Sequence, residues 1–273
     1  MRVWEQRPIQ FSGWAFPLQR GRPLSVAFRW ASLWMGIAIA IMVVALSIDA
    51  GWLYAESAGG GHASAHDHHG IIVSGWEGSA QGVAYSEFNH HLAGLFVLLI
   101  GCAELGQSFR LTSLLWLRLL LPIAMLSGSF VLLVWSDHEA WPIGSLGFLQ
   151  TFSGEDPEIL QHKIYGFLLF LVGAIEALRR IGRISDGPWS MPLPVFAIIG
   201  GLMLFGHSHG AHPSAYNIAM DHALMGTLAV TAGSSKLLLE WFRSPSHTVG
   251  SKWELLWAGL IVLIGIQLLM YSE

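Results

Sequence analysis

Seven apolar stretches run along the chain, at about 28–49, 88–108, 112–135, 160–178, 192–207, 219–239 and 252–271. Polar segments rich in glycine, proline, histidine and charge separate them. All but the fifth reach the roughly 20 residues that a helix needs to cross about 30 Å of hydrocarbon. The fifth is shorter, opens on Pro192 and Pro194, and carries Gly200, Gly201 and Gly206. At this length and pattern only helices satisfy their own backbone groups in lipid. The pattern predicts an all-α, polytopic membrane bundle of about seven transmembrane helices.

Three of these stretches share a finer pattern. The second has His90, Gly94, Gly101 and Glu104; the fourth has His162, Gly166, Gly173 and Glu176; the sixth has His222, Gly226, Gly233 and Lys236. The offsets are 0, +4, +11 and +14 in each copy. At 3.6 residues per turn the four positions fall within about 80° of one another. Each helix thus bears a stripe with histidine at one end, glycines between, and a charged residue at the other end. The intervening stretches end alike, in His138-Glu-Ala-Trp-Pro142 and His209-Gly-Ala-His-Pro213. The chain therefore divides into an N-terminal segment (1–27), an anchor helix (28–49), a His/Gly-rich loop (50–87) and a bundle of three related hairpins (88–273). The glycines suit close helix packing. Glu104 and Glu176 are expected to be charges at the inner surface, paired with Arg110 or with Arg179 and Arg180.

Charge orients the set. Arg2, Arg7, Arg20, Arg22, Arg29, Arg110, Arg118, Arg179, Arg180, Arg183, Lys236, Arg243 and Lys252 all fall on one side of seven spans, leaving only Lys163 for the other. The positive-inside rule then places the N-terminus in the cytoplasm. The flanks of the first stretch favour an uncleaved anchor over a signal peptide, since Ala55-Glu56-Ser57 is a poor cleavage site. Charged residues make up 12% of the chain, about half the share of a soluble domain. With net charge -4 and no basic domain, nucleic acid is not an expected partner. Cys102 is alone, which removes a disulfide, a c-type haem attachment and a cysteine-based zinc site.

The histidines supply the candidate chemistry. Of 13, all but His247 map to the outer side or its membrane surface. His90, His138, His162, His209 and His222 come from helix ends at similar depth, with His91 and His207 beside them. Imidazole is the commonest metal ligand among side chains, and a set at one depth points to a metal site. Asp137 and Asp221 are candidate carboxylate ligands or partners for ring nitrogens. The tract His62, His66, His68 and His69 reads as a flexible capture segment. Copper suits an imidazole-rich set, and zinc remains an alternative. A second alternative is b-type haem between two of His90, His162 and His222, with Gly94, Gly166 and Gly226 as positions of close porphyrin approach. No nucleotide-binding glycine motif, serine-nucleophile elbow or His-Glu-x-x-His is present, so the sequence names neither a reaction nor a substrate.

The second to seventh stretches, with their outward histidines and acidic residues, loosely resemble bacterial inner-membrane copper-resistance proteins of the CopD kind. The resemblance implies copper binding, handling or transport from the periplasmic side, with a periplasmic metallochaperone or redox protein as a partner. A looser likeness to bis-histidine membrane b-type cytochromes keeps an electron-transfer subunit open. A structural or assembly subunit of a larger membrane complex is the third expectation.

Overall fold

The computed structural model describes residues 79–109, 115–153, 156–207, 214–241 and 251–273. The anchor stretch, the tract His62–His69, Arg110 and His209 lie outside the described residues. Within them there are eight helices and no strand: α1 (Ala80–Ser108), α2 (Leu115–Val134), α3 (Phe148–Phe152), α4 (Pro157–Arg180), α5 (Asp186–Trp189), α6 (Pro192–Leu204), α7 (Ala215–Trp241) and α8 (Lys252–Leu269).

Local chemistry sets the helix ends. The Ser79 side chain caps α1 by accepting from Gly82 N, so the helix starts eight residues ahead of its apolar stretch. Asp156 caps α4 by accepting from Glu158 N and Ile159 N, with Pro157 next in the chain. Proline there needs no partner for its missing N–H. Arg179 and Arg180 stand in the last turn of α4, where the helix dipole favours positive charge. Ser251 caps α8 by accepting from Glu254 N.

Five of these helical stretches are long and apolar enough to cross a membrane: 80–108, 116–134, 157–180, 186–204 and 252–269. The fourth of them reaches its length because the turn of α5 runs into α6. Helix α7 is 27 residues long but more polar, carrying Asp221, His222, Thr227, Thr231, Ser235 and Lys236. Large apolar side chains such as Ile123, Phe130, Phe167, Phe170 and Leu263 point outward, as contact with lipid requires.

The long helices close a ring. In order around it stand α1, α2, α4, α6, α7 and α8, and α8 packs back against α1. The repeat glycines make the tight contacts. A Cβ on Gly94 or Gly101 would sit 2.8 Å from a backbone nitrogen of α8. One on Gly166 or Gly173 would meet Leu133, Leu132, Met125 and Leu126 of α2 at 3.0–3.3 Å. One on Gly226 or Gly233 would lie 2.6 Å from a carbonyl oxygen of α6. The close pairs are therefore α8–α1, α2–α4 and α6–α7. They are shifted by one helix from the hairpins read along the sequence: α8 stands to α1 as α2 does to α4 and α6 to α7.

The charged ends of the three stripes meet. Glu104 is 3% exposed and Glu176 1% exposed, so neither is the surface charge that the sequence suggested. Glu104 accepts from Lys236 Nζ (2.6 Å), Arg180 Nη2 (2.7 Å), Trp257 Nε1 (2.7 Å) and Gln107 Nε2 (3.0 Å). Glu176 pairs with Arg179 and, at 3.3 Å, with Arg180 Nε. The expected Arg179 and Arg180 partners are thus present, while Glu104 is held by a lysine and an arginine of other helices. A buried carboxylate is tolerated when its oxygens are fully hydrogen-bonded, and this network ties α1, α4, α7 and α8 together at one end.

Candidate metal centre at the mouth of the bundle

The opposite end of the ring gathers the histidines. His90 comes from α1, His162 from α4 and His222 from α7, while His207 follows α6. Neighbouring rings are in contact: His90 to His222 at 6.0 Å between centroids, His222 to His207 at 4.9 Å, and His207 to His162 at 5.3 Å. The equal offset of the three stripes places His90, His162 and His222 at one depth.

Three of the imidazoles have Nδ1 beside an oxygen that can only accept. His162 Nδ1 is 2.7 Å from Asp137 Oδ1, His207 Nδ1 is 2.9 Å from Gln161 Oε1, and His90 Nδ1 is 2.9 Å from the Ser86 carbonyl. Nδ1 is therefore the protonated nitrogen, and in the neutral ring the lone pair sits on Nε2. A metal-binding histidine takes this form, with its other N–H given to a carboxylate or carbonyl. Glu158, one turn before His162, completes a group. One ligand atom from each of Glu158, His162 and His207 lies within 4.8 Å of the others.

Asp137 anchors the arrangement. It accepts from His162 and, at 2.5 Å, from the Ser136 hydroxyl, and it pairs with Lys163 Nζ at 3.1 Å. Lys163 is 1% exposed and also donates to the carbonyls of Leu132 (3.5 Å) and Leu133 (3.1 Å) at the end of α2. Burial works to raise the Asp137 carboxyl, but the charge and hydrogen bond of His162, the Ser136 hydroxyl and Lys163 together hold it below the usual carboxylate range. On the other flank Tyr271 stacks on His90 at 3.9 Å.

Two spaces meet at the histidines. Above them a vestibule of about 340 Å³ is lined by Asp137, Glu139, Asp156, Glu158 and Glu273, among others. Below them the ring lines a chamber of about 300 Å³ with mainly apolar walls. His90 and His162 border both.

No family model, curated protein or solved structure matches this chain.

The remaining expected residues fall elsewhere. His91 Nε2 donates to the Tyr271 carbonyl at 2.9 Å and borders neither space. His138 lines the vestibule, 3.6 Å from Glu139 and edge-on to Tyr85. Asp221 borders neither space, and its carbonyl accepts from Gln267. Gly94, Gly166 and Gly226 pack against neighbouring helices and do not line the chamber. Sequence reasoning missed Glu158. Its signal was present, since Glu158 and His162 stand at i and i+4 on one helix.

Proposed function

We propose that this chain is a multi-pass protein of the bacterial inner membrane that binds copper on its periplasmic side, in order to hold it or pass it on. One observation carries the reading: Glu158, His162 and His207 bring three ligand atoms within 4.8 Å of one another, with both imidazoles oriented through Nδ1 by Asp137 and Gln161. His222, in ring contact with His207, stands next in line as a further nitrogen ligand. Nitrogen-rich sites take divalent copper more tightly than the other first-row ions. Zinc is the competitor, since two histidines and a glutamate also suit it.

Charge placement supports the orientation. Arg118, Arg179, Arg180, Arg183, Lys236 and Lys252 lie at the end away from the histidines, and Lys163 is neutralised by Asp137. This agrees with an N-terminus in the cytoplasm and seven spans, α7 and the 28–49 stretch included. The acidic vestibule concentrates cations at the mouth, and the tract His62–His69 would serve as the capture segment.

The test is copper content and affinity of the detergent-purified protein. His162→Ala and His207→Ala should each weaken copper binding about 10–100-fold or more, while His91→Ala should not. Unchanged copper affinity in both site variants would overturn the reading.

A further inference from the structure

The metal reading uses only the top of the ring and leaves the chamber beneath it without a role. The chamber walls are mainly apolar, yet they carry thioethers. Six methionines fall among the described residues. Met125, Met203 and Met225 are buried, and all three line the chamber. Met191, Met220 and Met270 are less buried and do not line it.

Two of the three lie just beneath imidazoles. Met225 follows His222 by three residues on α7, and Met203 precedes His207 by four. Both histidines line the same chamber. The α6–α7 contact brings the two methionines level. A Cβ on Gly201 would meet the Gly226 carbonyl, and one on Gly233 the Pro194 carbonyl, so the helices run antiparallel in that register. Two residues on from Gly201 stands Met203, and one residue back from Gly226 stands Met225. Their depths therefore differ by about 1.5 Å, and both lie within about 5 Å below His222. Met125 is placed otherwise. It packs against Gly173, eleven residues past His162, which puts it about 12 Å deeper than Met225.

A buried methionine elsewhere in a core fills space. Two at one depth, on the closest helix pair and directly under imidazoles, are also a donor set. A thioether is neutral and soft, and it selects Cu(I) over the harder divalent ions. The cost of taking an ion out of water rises with its charge, so apolar walls favour a monovalent ion over a divalent one. We infer that Met203, Met225 and His222 form a second metal site, at the top of the chamber, for monovalent copper. The inference rests on the copper reading for the identity of the ion and adds a division of labour. The imidazole and carboxylate group above takes Cu(II), and the thioether site below takes Cu(I).

The experiment uses the full chain in detergent, with His62, His66, His68 and His69 replaced by alanine. Without oxygen, it is titrated with Cu(I) and, separately, with Ag(I), a soft monovalent ion that keeps its oxidation state, each against a competing chelator. X-ray absorption of the protein loaded with one equivalent of Cu(I) counts the sulfur ligands. The parent protein should show two. Met203→Leu and Met225→Leu should each show one. Each should weaken Cu(I) and Ag(I) binding about tenfold or more, a loss that removal of even an outer partner reaches. Leucine nearly keeps the volume of methionine, so Cu(II) affinity should stay at the parent value in both. Met125→Leu controls for repacking of the chamber and should leave Cu(I) affinity unchanged. If a variant fails to fold, the sulfur count of the parent protein still decides. Cu(I) without sulfur ligands overturns the proposal, as does parent affinity in both site variants or an equal loss in Met125→Leu. Cu(II) binding with no Cu(I) or Ag(I) binding overturns this site alone. Sulfur-bound Cu(I) with no Cu(II) binding supports this site and overturns the imidazole group above it.

Discussion

Asp137 has no place in the direct ligand group, yet it touches His162, Lys163 and Ser136 at once. It sets which nitrogen of His162 carries the proton. Asp137→Asn should therefore weaken metal binding by about 10–100-fold, as loss of an outer partner usually does. The same residue predicts a pH effect. Its carboxyl is held below the usual range in the folded state. Its stabilising contribution is then fully present above the unfolded value of about 4 and is lost as pH falls through the lower folded value. Wild-type melting temperature should drop on acidification below about pH 4, and Asp137→Asn should show a smaller drop. An equal drop in both would place the acid sensitivity elsewhere. At this scale the sequence exposed His90, His162 and His222, because their spacing and position repeat, and His207 only as a neighbour of these positions. It did not reveal that His91 turns to the Tyr271 carbonyl, or that His207 from another segment joins Glu158 and His162. Neighbouring positions on a helix face different ways, and their partners come from parts of the chain far away in sequence.

Single substitutions at the glycines test how the helices pair. A Cβ on Gly226 or Gly233 would come within 2.6 Å of a carbonyl oxygen of α6, where backbone must move. Gly226→Ala and Gly233→Ala should each destabilise by about 1–3 kcal/mol, the usual cost of overpacking. Gly259 has nothing within 4 Å of such a Cβ. Gly259→Ala should be neutral or stabilise by up to about 1 kcal/mol through helix propensity. Denaturation of the detergent-solubilised protein would measure both, and equal effects at Gly226 and Gly259 would argue against the close α6–α7 pair. The glycine stripes were legible in the sequence, but their partners were not. A stripe tells which face is narrow, whereas the choice between the preceding and the following helix depends on how the ring closes. Helix starts were also partly hidden, since Ser79 and Asp156 cap turns that lie outside the apolar stretches.

Across the whole molecule the ring has unlike ends: imidazoles and carboxylates at one, a buried ion network at the other, and an apolar chamber between. The network ties α1, α4, α7 and α8 together at the end away from the histidines. Glu104→Ala would leave Lys236 without its buried carboxylate and Arg180 with Glu176 alone, and should cost about 3–5 kcal/mol. Its copper affinity should stay near wild type if the protein is kept folded at low temperature, because the two ends are separate. The charge asymmetry was visible in the sequence and the all-helical class followed from its apolar stretches. The closed ring and its chamber were not, because they depend on α8 returning to α1. The central claim is that imidazoles from separate helices share one ion. Electron paramagnetic resonance of the copper-loaded protein tests it most directly, with His62, His66, His68 and His69 replaced by alanine to remove the capture tract. The account predicts a bound Cu(II) signal with imidazole nitrogen couplings that lose one nitrogen in His162→Ala and again in His207→Ala. Absence of bound copper in that protein, or a signal that neither substitution changes, would contradict it.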